Sequence, residues 1–191
     1  MEGNGIKPVR KKIDTLLTRT GLASGQRVLD FGCSEGIYTI SAARIVGETG
    51  SVYALDKNGD SLEVLKREIQ RERLLNVKPL HVEENGDIPL PPDSVDTVLL
   101  YDTLHGGYFP ESSQRIEILR RIYRVLKPGG LLSCYPTHLK QYGITFSEII
   151  GEITHVGFRF QNKHRRTLVH DGNIVRGKVF SFTKPPAAAG R

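Results

Sequence analysis

Five residues between an apolar run and a helix could form a ligand-binding turn. The segment from Gly32 to Gly36 reads Gly-Cys-Ser-Glu-Gly; it follows the β-prone run that ends at Phe31 and precedes a stretch rich in Ile and Ala. Glycine lacks a Cβ, so the backbone of such a turn can approach a ligand closely. The free N–H groups at the start of the following helix favour an electron-rich group. The pattern predicts that a small molecule lies on this turn.

The carboxylate of Asp30 limits which ligand the turn can hold. A dinucleotide fingerprint reads Gly-x-Gly-x-x-Gly, whereas three residues separate Gly32 from Gly36. Asp30 ends the first predicted strand and would place a negative charge where a pyrophosphate must sit, and like charges close together repel. The sequence therefore disfavours a nicotinamide dinucleotide and favours a ligand with a positive charge.

The segment Asp30-Phe-Gly-Cys-Ser-Glu-Gly36 resembles the first motif of class I S-adenosylmethionine-dependent methyltransferases of the small type 11-like kind, commonly Asp-x-Gly-Cys-Gly-x-Gly. Ser34 stands where that family usually has a central glycine. The resemblance covers about residues 10–184 and implies S-adenosylmethionine as cofactor and S-adenosylhomocysteine as product. The cofactor-binding residues that it implies around the turn are Asp30, Gly32, Cys33, Ser34, Gly36 and Tyr38.

A second carboxylate has the spacing of a ribose-binding residue. Asp56 follows Gly36 by twenty residues and ends the second predicted strand. At that offset a carboxylate can accept hydrogen bonds from both ribose hydroxyls of an adenine nucleoside. The alternative is that Asp56 only begins the turn before the next helix. We expect Asp56 and its neighbour Lys57 to contact the nucleoside.

In the resembled family, an acid in the loop after the third strand accepts a hydrogen bond from the adenine amino group. Aligning this chain on Ser94-Val95-Asp96 places Asn85 at that position, and its side-chain carbonyl can accept the same bond. Glu84 and Asp87 are close competitors. The residues that this loop contributes to the predicted cofactor site are Asn85, Gly86 and Asp87.

The segment 101–109 resembles the part of the family that lies beside the methyl donor. The resemblance implies that the backbone near Tyr101 binds the cofactor amino group and that His105 and Tyr108 face the acceptor. An imidazole titrates near neutral pH, so His105 is the candidate catalytic base. It can instead pack against the cofactor or cap a helix. Candidate pocket walls, with ordinary packing as the alternative, are Tyr38, Tyr108, His138 and Tyr142.

Alternating strands and helices must position these residues. Apolar periodicity and turn signals predict five parallel strands with crossovers, the fifth at Leu131–Tyr135, and then a terminal hairpin joined through residues 170–173. With the resemblance, this predicts an α/β fold: a doubly wound, seven-stranded, mostly parallel sheet with an antiparallel last strand, the Rossmann-like methyltransferase fold. Residues 1–191 should form a single domain, with an N-terminal helix segment at 1–20 and a frayed tail at 185–191.

Composition argues against several classes of protein. No apolar run reaches the roughly 20 residues that span a bilayer, and residues 1–20 lack the apolar segment of a secretory signal. We therefore expect a cytoplasmic protein without membrane contact. Two cysteines are too few for a disulfide framework, and the six histidines show no His-x-x-x-His or His-Glu-x-x-His spacing. No metal is predicted.

The favoured function is methyl transfer to a small-molecule acceptor by in-line displacement. The segments that recognise substrates in the resembled family are short here. Tyr101-Asp-Thr-Leu stands where the branches that modify adenine or glutamine amides have an Asn-Pro-Pro-Tyr-type tetrad, which argues against those branches. The net charge of +6 is concentrated in residues 159–191 and 1–20, which could attract RNA, although solvated charged faces are the commoner explanation. The alternatives are an RNA or protein methyltransferase and a non-catalytic S-adenosylmethionine-binding module; the oligomeric state stays open.

Overall fold

Seven strands and five α-helices alternate along residues 6–83, 86–170 and 173–186, which are the residues that the computed structural model describes. The strands are β1 (Arg27–Phe31), β2 (Ser51–Asp56), β3 (Val77–His81), β4 (Val95–Tyr101), β5 (Leu126–Tyr135), β6 (Arg159–His170) and β7 (Asn173–Thr183). The helices are α1 (Ile6–Arg19), α2 (Ile37–Val46), α3 (Gly59–Arg71), α4 (Ser112–Val125) and α5 (Phe146–His155). Within these ranges, every helix is too short or too polar to cross a membrane.

The strands form one sheet in the order β3-β2-β1-β4-β5-β7-β6. Parallel pairs join β1 to β2 and β4, β2 to β3, and β4 to β5. β7 is antiparallel to both of its neighbours. The predicted fold is thereby confirmed. Strand order reverses between β1 and β4, and open α/β sheets bind ligands at the carboxyl ends of the strands beside such a reversal.

Helices cover both faces of the sheet because successive strand residues point to opposite sides. Val28 and Leu99 pack in the core that α1, α2 and α3 cover, whereas Leu29 and Leu100 pack in the core that α4 and α5 cover. The sheet is therefore doubly wound, as predicted. The apolar residues that α1 buries in the first core are Ile13, Leu16 and Leu17.

The start of β5 differs from the prediction. The strand begins at Leu126, directly after α4, and not at Leu131. Its pairing with β4 jumps from Leu126 to Leu131, so residues 127–130 form an irregularity within the strand. The Gly129 N–H donates to the carbonyl of Lys184 at 2.8 Å, and the Lys184 N–H donates to the carbonyl of Gly130 at 3.1 Å. The Lys-Pro-Gly-Gly turn thus pairs with a distant segment that its local sequence does not reveal.

The terminal hairpin is longer than the part of it that pairs with β5. β7 pairs with β5 only over residues 180–183, whereas it pairs with β6 along its full length. The hairpin passes close to Tyr135, since a Cβ on Gly177 would lie 2.3 Å from the ring. β6 also contacts α1. This course brings the far end of β6, at Val169 and His170, to the carboxyl ends of β1 and β4.

Candidate functional site

Backbone hydrogen bonds tie the turn after β1 to the end of β2. The N–H groups of Gly32 and Cys33 both donate to the carbonyl of Leu55, at 2.8 and 3.0 Å. The N–H of Gly36 donates to the carbonyl of Cys33 at 2.9 Å, and α2 begins at the next residue. The backbone itself therefore sets the shape of this turn.

Two glycines are required for that shape. Gly32 and Gly36 have φ angles of +75° and +87°, in the left-handed region that favours glycine. A Cβ at Gly32 would lie 2.7 Å from Thr103 Oγ1, and a Cβ at Gly36 would lie 2.3 Å from Leu65 Cδ1. Ser34 is also left-handed, with φ +48°. Its conformation gives a physical reason why the resembled motif has glycine at this position.

Asp56 joins the middle of the turn to the end of β2. Its Oδ2 accepts a hydrogen bond from the Ser34 N–H at 2.7 Å, and its Oδ1 accepts one from the Asn58 N–H at 2.9 Å. Each carboxylate oxygen has two acceptor sites, so these bonds leave room for a hydroxyl donor. The geometry is compatible with the predicted ribose contact, which stays a prediction.

A cavity of about 530 Å³ lies at the carboxyl ends of β1, β2 and β4. Cofactor and ligand sites commonly have this size. The glycine turn lines one side, Tyr108 and Phe109 line another, and Val169 and His170 of the hairpin line a third. The residues predicted to bind the cofactor that line this cavity are Gly32, Cys33, Ser34, Gly36, Tyr38, Asp56, Lys57, Gly86 and Tyr101.

Asp30 lies beneath the turn and outside the described cavity lining. Its side chain is buried, and Thr39 Oγ1 donates a 2.5 Å hydrogen bond to its Oδ2. Burial raises the pKa of Asp30 to about 6, with a smaller contribution from the Asp56 charge, while the bond from Thr39 opposes the rise. The carboxylate therefore supports the turn from beneath, and its predicted contact with a ligand stays a prediction.

The hydroxyls of Tyr38 and Tyr101 are engaged within the protein. The Tyr38 hydroxyl donates to the carbonyl of Val169 at 2.9 Å and accepts from the Val169 N–H at 3.0 Å. The Tyr101 hydroxyl lies 2.7 Å from Ser133 Oγ. The two rings meet edge to face with centroids 4.9 Å apart, and burial raises the pKa of both phenols. Both residues are therefore neutral walls of the cavity.

The loop after β3 contributes only part of what was predicted. Asn85 and Glu84 lie outside the described residues, while Gly86 lines the cavity. The carboxylate of Asp87 lies 3.1 Å from Arg124 Nη2 on α4, with two thirds of its side chain exposed. Asp87 lies outside the cavity lining, where Arg124 holds its side chain, and its role in cofactor binding stays a prediction.

His105 is buried in an aromatic group beside the cavity. Its ring centroid lies 4.8 Å from that of Tyr108 and 5.7 Å from that of Tyr142, on which it stacks. The Gly107 N–H donates to His105 Nδ1 at 3.0 Å and occupies that lone pair. Burial lowers the pKa of His105 below its usual value, an effect that the Asp102 charge opposes. The geometry favours packing over catalysis, and the role of base stays a prediction.

A cluster that sequence spacing did not reveal lies at the same end of the sheet. Asp102 follows β4, His138 follows β5 and His170 ends β6. His170 Nδ1 lies 2.6 Å from Asp102 Oδ2, and His138 Nε2 lies 3.9 Å from Asp102 Oδ1. The sequence contained one signal for this cluster: each of the three residues lies at or shortly after the end of a predicted strand. His138, a predicted pocket wall, lies outside the cavity lining, and lining residues that the sequence analysis did not name as site residues include Asn58, Ile88, Asp102, Thr103, Val169 and His170.

Comparison with known proteins identifies relatives of this chain. A family model described as a methyltransferase domain matches residues 28–130, more than half of the chain. A demethylmenaquinone methyltransferase from Geobacillus sp. (strain WCH70) is 31% identical over 121 residues, which cover 63% of this chain and 49% of the relative. One from Listeria welshimeri is 33% identical over 113 residues, 59% of this chain and 45% of the relative. The chain spans about half the length of the curated relatives it matches.

Solved structures share the fold over nearly the whole chain. A SAM-dependent methyltransferase from Aquifex aeolicus has a TM-score of 0.71 at 22% identity and covers 95% of this chain and 100% of its own. One from Methanosarcina mazei has a TM-score of 0.72 at 18% identity, with 90% and 98% covered. The cyclase SpnF has a TM-score of 0.74 at 17% identity, with 93% and 82% covered. At these identities the likeness shows the fold, and one fold can host different reactions.

Proposed function

The chain belongs to the methyltransferase domain family of class I S-adenosylmethionine-dependent methyltransferases, and from this premise we propose that it transfers a methyl group from S-adenosylmethionine to a small-molecule acceptor. One observation carries the proposal. The cavity at the reversal of strand order is lined by the glycine turn and Asp56 on one side and by the residues after β4 on the other. This arrangement supports a donor nucleoside bound beside an acceptor.

The residues present fit the methyl donor. The remaining acceptor sites of the Asp56 carboxylate suit the two ribose hydroxyls, and the backbone of residues 32–36 suits the methionine part. The backbone near Tyr101 suits the donor's amino group. When bound, S-adenosylmethionine supplies a methyl group on a positively charged sulfur. The carboxylate of Asp56 lines the cavity, and its negative charge favours such a cation.

The chain's own contribution to the reaction is positioning and exclusion of water. Because the donor is already a strong electrophile, correct placement of the acceptor supplies much of the catalysis. Tyr38 fixes the end of the hairpin over the cavity through its two bonds to Val169. A dedicated general base is not required, which agrees with the occupied Nδ1 of His105.

Two observations support a small and largely apolar acceptor. The relatives named demethylmenaquinone methyltransferase have a small-molecule substrate in their name. Exposed apolar side chains of Ile37 and Tyr108 also line the cavity. Because the matched segment is about half of each relative, we propose this class of acceptor and not the relatives' own substrate.

Calorimetry with two ligands tests donor binding. We expect S-adenosylhomocysteine to bind with one site per chain and NAD to give no heat of binding. The carboxylate of Asp30, whose charge disfavours the pyrophosphate of NAD, lies beneath the turn on which either ligand would sit. Binding of NAD in preference to S-adenosylhomocysteine would overturn the proposal.

A labelled-methyl assay tests the acceptor class. The protein is incubated with methyl-labelled S-adenosylmethionine and, separately, with a small-molecule extract, total RNA or total protein. Label in the small-molecule sample alone is the expected result. Label confined to RNA or protein would contradict it, and donor binding without labelling of any sample would indicate a binding module.

An RNA acceptor is the second candidate, and one surface favours it. The outer strand β6 carries exposed basic side chains on a long hairpin beside the cavity. Binding driven by phosphate contacts weakens steeply as salt rises, so a strong salt dependence of RNA affinity would support this candidate. The exposed basic residues of β6 are Arg159, Lys163 and Arg165.

We also propose that the chain is a single domain of a cytoplasmic protein. Both cores pack on the same sheet, which makes them parts of one folding unit. Cys33 and Cys134 are both free and buried, which suits a reducing compartment. Urea denaturation tests the first point, since a single domain should unfold in one cooperative transition.

A further inference from the structure

Three side chains from separate strand ends converge at the cavity. Asp102 and His170 line it, and His138 lies next to both. One nitrogen or oxygen from each of the three residues lies within 4.8 Å of the other two. We propose that Asp102, His138 and His170 bind a divalent transition-metal ion of the zinc type. The function that we give to this ion rests on the proposed methyl transfer, whereas the binding site does not.

The distances suit a shared ion. Zinc bonds of about 2.0–2.1 Å in a tetrahedron separate neighbouring ligand atoms by about 3.3 Å. The two measured separations, 2.6 Å from His170 Nδ1 to Asp102 Oδ2 and 3.9 Å from His138 Nε2 to Asp102 Oδ1, lie on either side of that value. All three ligand atoms lie within 4.8 Å of one another, so side-chain rotations that shorten the longest separation by about 1.5 Å would place them around one centre.

The donor set selects the kind of ion. Two imidazoles and one carboxylate suit zinc and neighbouring first-row ions, whereas magnesium and calcium prefer oxygen ligands. Three protein ligands leave an open position, as catalytic sites do. Surrounding groups hold the carboxylate in place: Thr137 Oγ1 donates to Asp102 Oδ1, and the Asp102 N–H donates to the carbonyl of Tyr135 at 2.9 Å. Hydrogen bonds to a side chain that itself binds a metal ion orient that ligand.

The backbone is also strained at this cluster. Asp102 and His138 have φ angles of +56° and +53°, in the left-handed region that non-glycine residues uncommonly adopt. A plain ion pair between Asp102 and His170 explains two of the three residues. It does not account for the place of His138, whose side chain is about one third exposed and whose ring centroid lies 4.8 Å from that of His170.

The position of the site suggests what the ion does. An ion held by Asp102 and His170 borders the same cavity as the glycine turn. Its open position suits the oxygen of an acceptor hydroxyl, whose pKa the ion lowers so that the proton leaves to solvent. The acceptor class is thereby narrowed to small molecules that carry an ionisable hydroxyl group.

Metal titration tests the site. The full chain without a histidine tag is treated with a chelator and titrated calorimetrically with Zn²⁺, and separately with Mg²⁺. We expect one Zn²⁺ per chain and no Mg²⁺ binding. His138→Asn, which keeps a residue that tolerates the left-handed conformation, and Asp102→Asn should each weaken Zn²⁺ binding at least about tenfold. His155→Ala is the matched control, because His155 is exposed at the end of α5, and it should bind Zn²⁺ as the unaltered chain does.

Three outcomes overturn the site: no Zn²⁺ binding by the unaltered chain, equal binding by the cluster variants, or equal weakening by the control. Titration of every variant with S-adenosylhomocysteine shows that it is folded and separates the two proposals. Donor binding without Zn²⁺ binding removes the metal site and leaves the proposed function intact. Zn²⁺ binding without donor binding removes the proposed function and leaves the metal site.

Discussion

The glycine turn and the end of the hairpin line the same cavity but are built in different ways. The turn lies between β1 and α2, and backbone bonds to Leu55 and Cys33 set its shape. The hairpin end is held by the Tyr38 hydroxyl, which donates to the carbonyl of Val169, 131 residues later in the chain. One side of the cavity therefore depends on local backbone conformation, and the other depends on side chains brought together by tertiary packing.

This difference predicts how substitutions act. Changes in the turn alter the backbone, so they should change folding and donor binding together. Changes in the cluster of Asp102, His138 and His170 remove partly exposed side chains, so they should change the ion or the acceptor and leave the fold intact. The variants below test the turn, and the titrations of His138→Asn and Asp102→Asn with Zn²⁺ and S-adenosylhomocysteine test the cluster.

The largest effect is expected for Gly36→Ala. The substitution puts a Cβ at 2.3 Å from Leu65 Cδ1, which is fully buried, and at a φ of +87°. Overpacking and the left-handed conformation together should lower the free energy of unfolding by about 3 kcal/mol or more. Urea denaturation measures this change, and calorimetry should show a parallel loss of S-adenosylhomocysteine affinity.

Gly151→Ala is the matched control. Gly151 lies within α5, and a Cβ there would meet no atom within 4 Å. Because alanine favours helix over glycine, this variant should gain roughly 0.5–1 kcal/mol of stability and keep donor affinity. Equal stability of the two variants would mean that the turn is not shaped as described.

Asp56→Ala should give the next largest effect. The carboxylate holds the N–H groups of Ser34 and Asn58, and loss of its charge-assisted bonds should weaken S-adenosylhomocysteine binding by roughly 1 to 3 kcal/mol, about a 5- to 150-fold rise in Kd. Asp87→Ala provides the comparison, since its carboxylate pairs with Arg124 on the surface. An unchanged Kd for Asp56→Ala, or equal losses for both variants, would remove Asp56 from the binding site.

Asp30→Asn should stabilise the protein without ligand. Burial raises the pKa of Asp30 from 3.8 to about 6, so the folded state favours the protonated acid. The stability that this preference supplies is complete below about pH 4 and is lost as the pH rises through 6. Asparagine avoids a buried charge at every pH, so the variant should gain roughly 1 to 3 kcal/mol at pH 7.5.

The pH dependence separates this explanation from a general packing effect. The gain of Asp30→Asn, measured by urea denaturation, should be smaller at pH 5 than at pH 7.5, because the acid is then largely protonated in the folded protein. A gain that is equal at both pH values would show that the charge of Asp30 is not its cause. The matched variant Thr39→Val removes the hydroxyl that donates to the carboxylate and should lower stability at pH 7.5.

The sequence predicts the turn side of the cavity well because its signals are local. Apolar runs between turn residues mark β1 (Arg27–Phe31) and β4 (Val95–Tyr101). Gly32 and Gly36 have positive φ angles, and Asp56 lies at the end of its strand beside them. These features follow from residue type and spacing within about thirty residues.

The other side could not be predicted from local patterns. Asp102, His138 and His170 are separated by 36 and 32 residues in the sequence and meet only because the hairpin folds back over the strand ends. The outward position of Asp87 depends on Arg124, which lies on a later helix. Periodicity and turn chemistry contain no information on such pairs, and the resemblance did not bring these three residues together.

The smallest effect is expected for Ser34→Gly, and it tests the one departure from the usual motif. Ser34 has a φ of +48°, a conformation that costs roughly 1–2 kcal/mol, and glycine removes this cost but loses about 0.5–1 kcal/mol of chain entropy on folding. The net gain in unfolding free energy should be about 0.5 kcal/mol. The backbone bond from residue 34 to Asp56 persists, so donor affinity should be equal or higher. Ser34→Ala keeps the strain and loses only the hydroxyl; if both variants weaken binding alike, the hydroxyl itself contacts the ligand and serine has a function that glycine cannot supply.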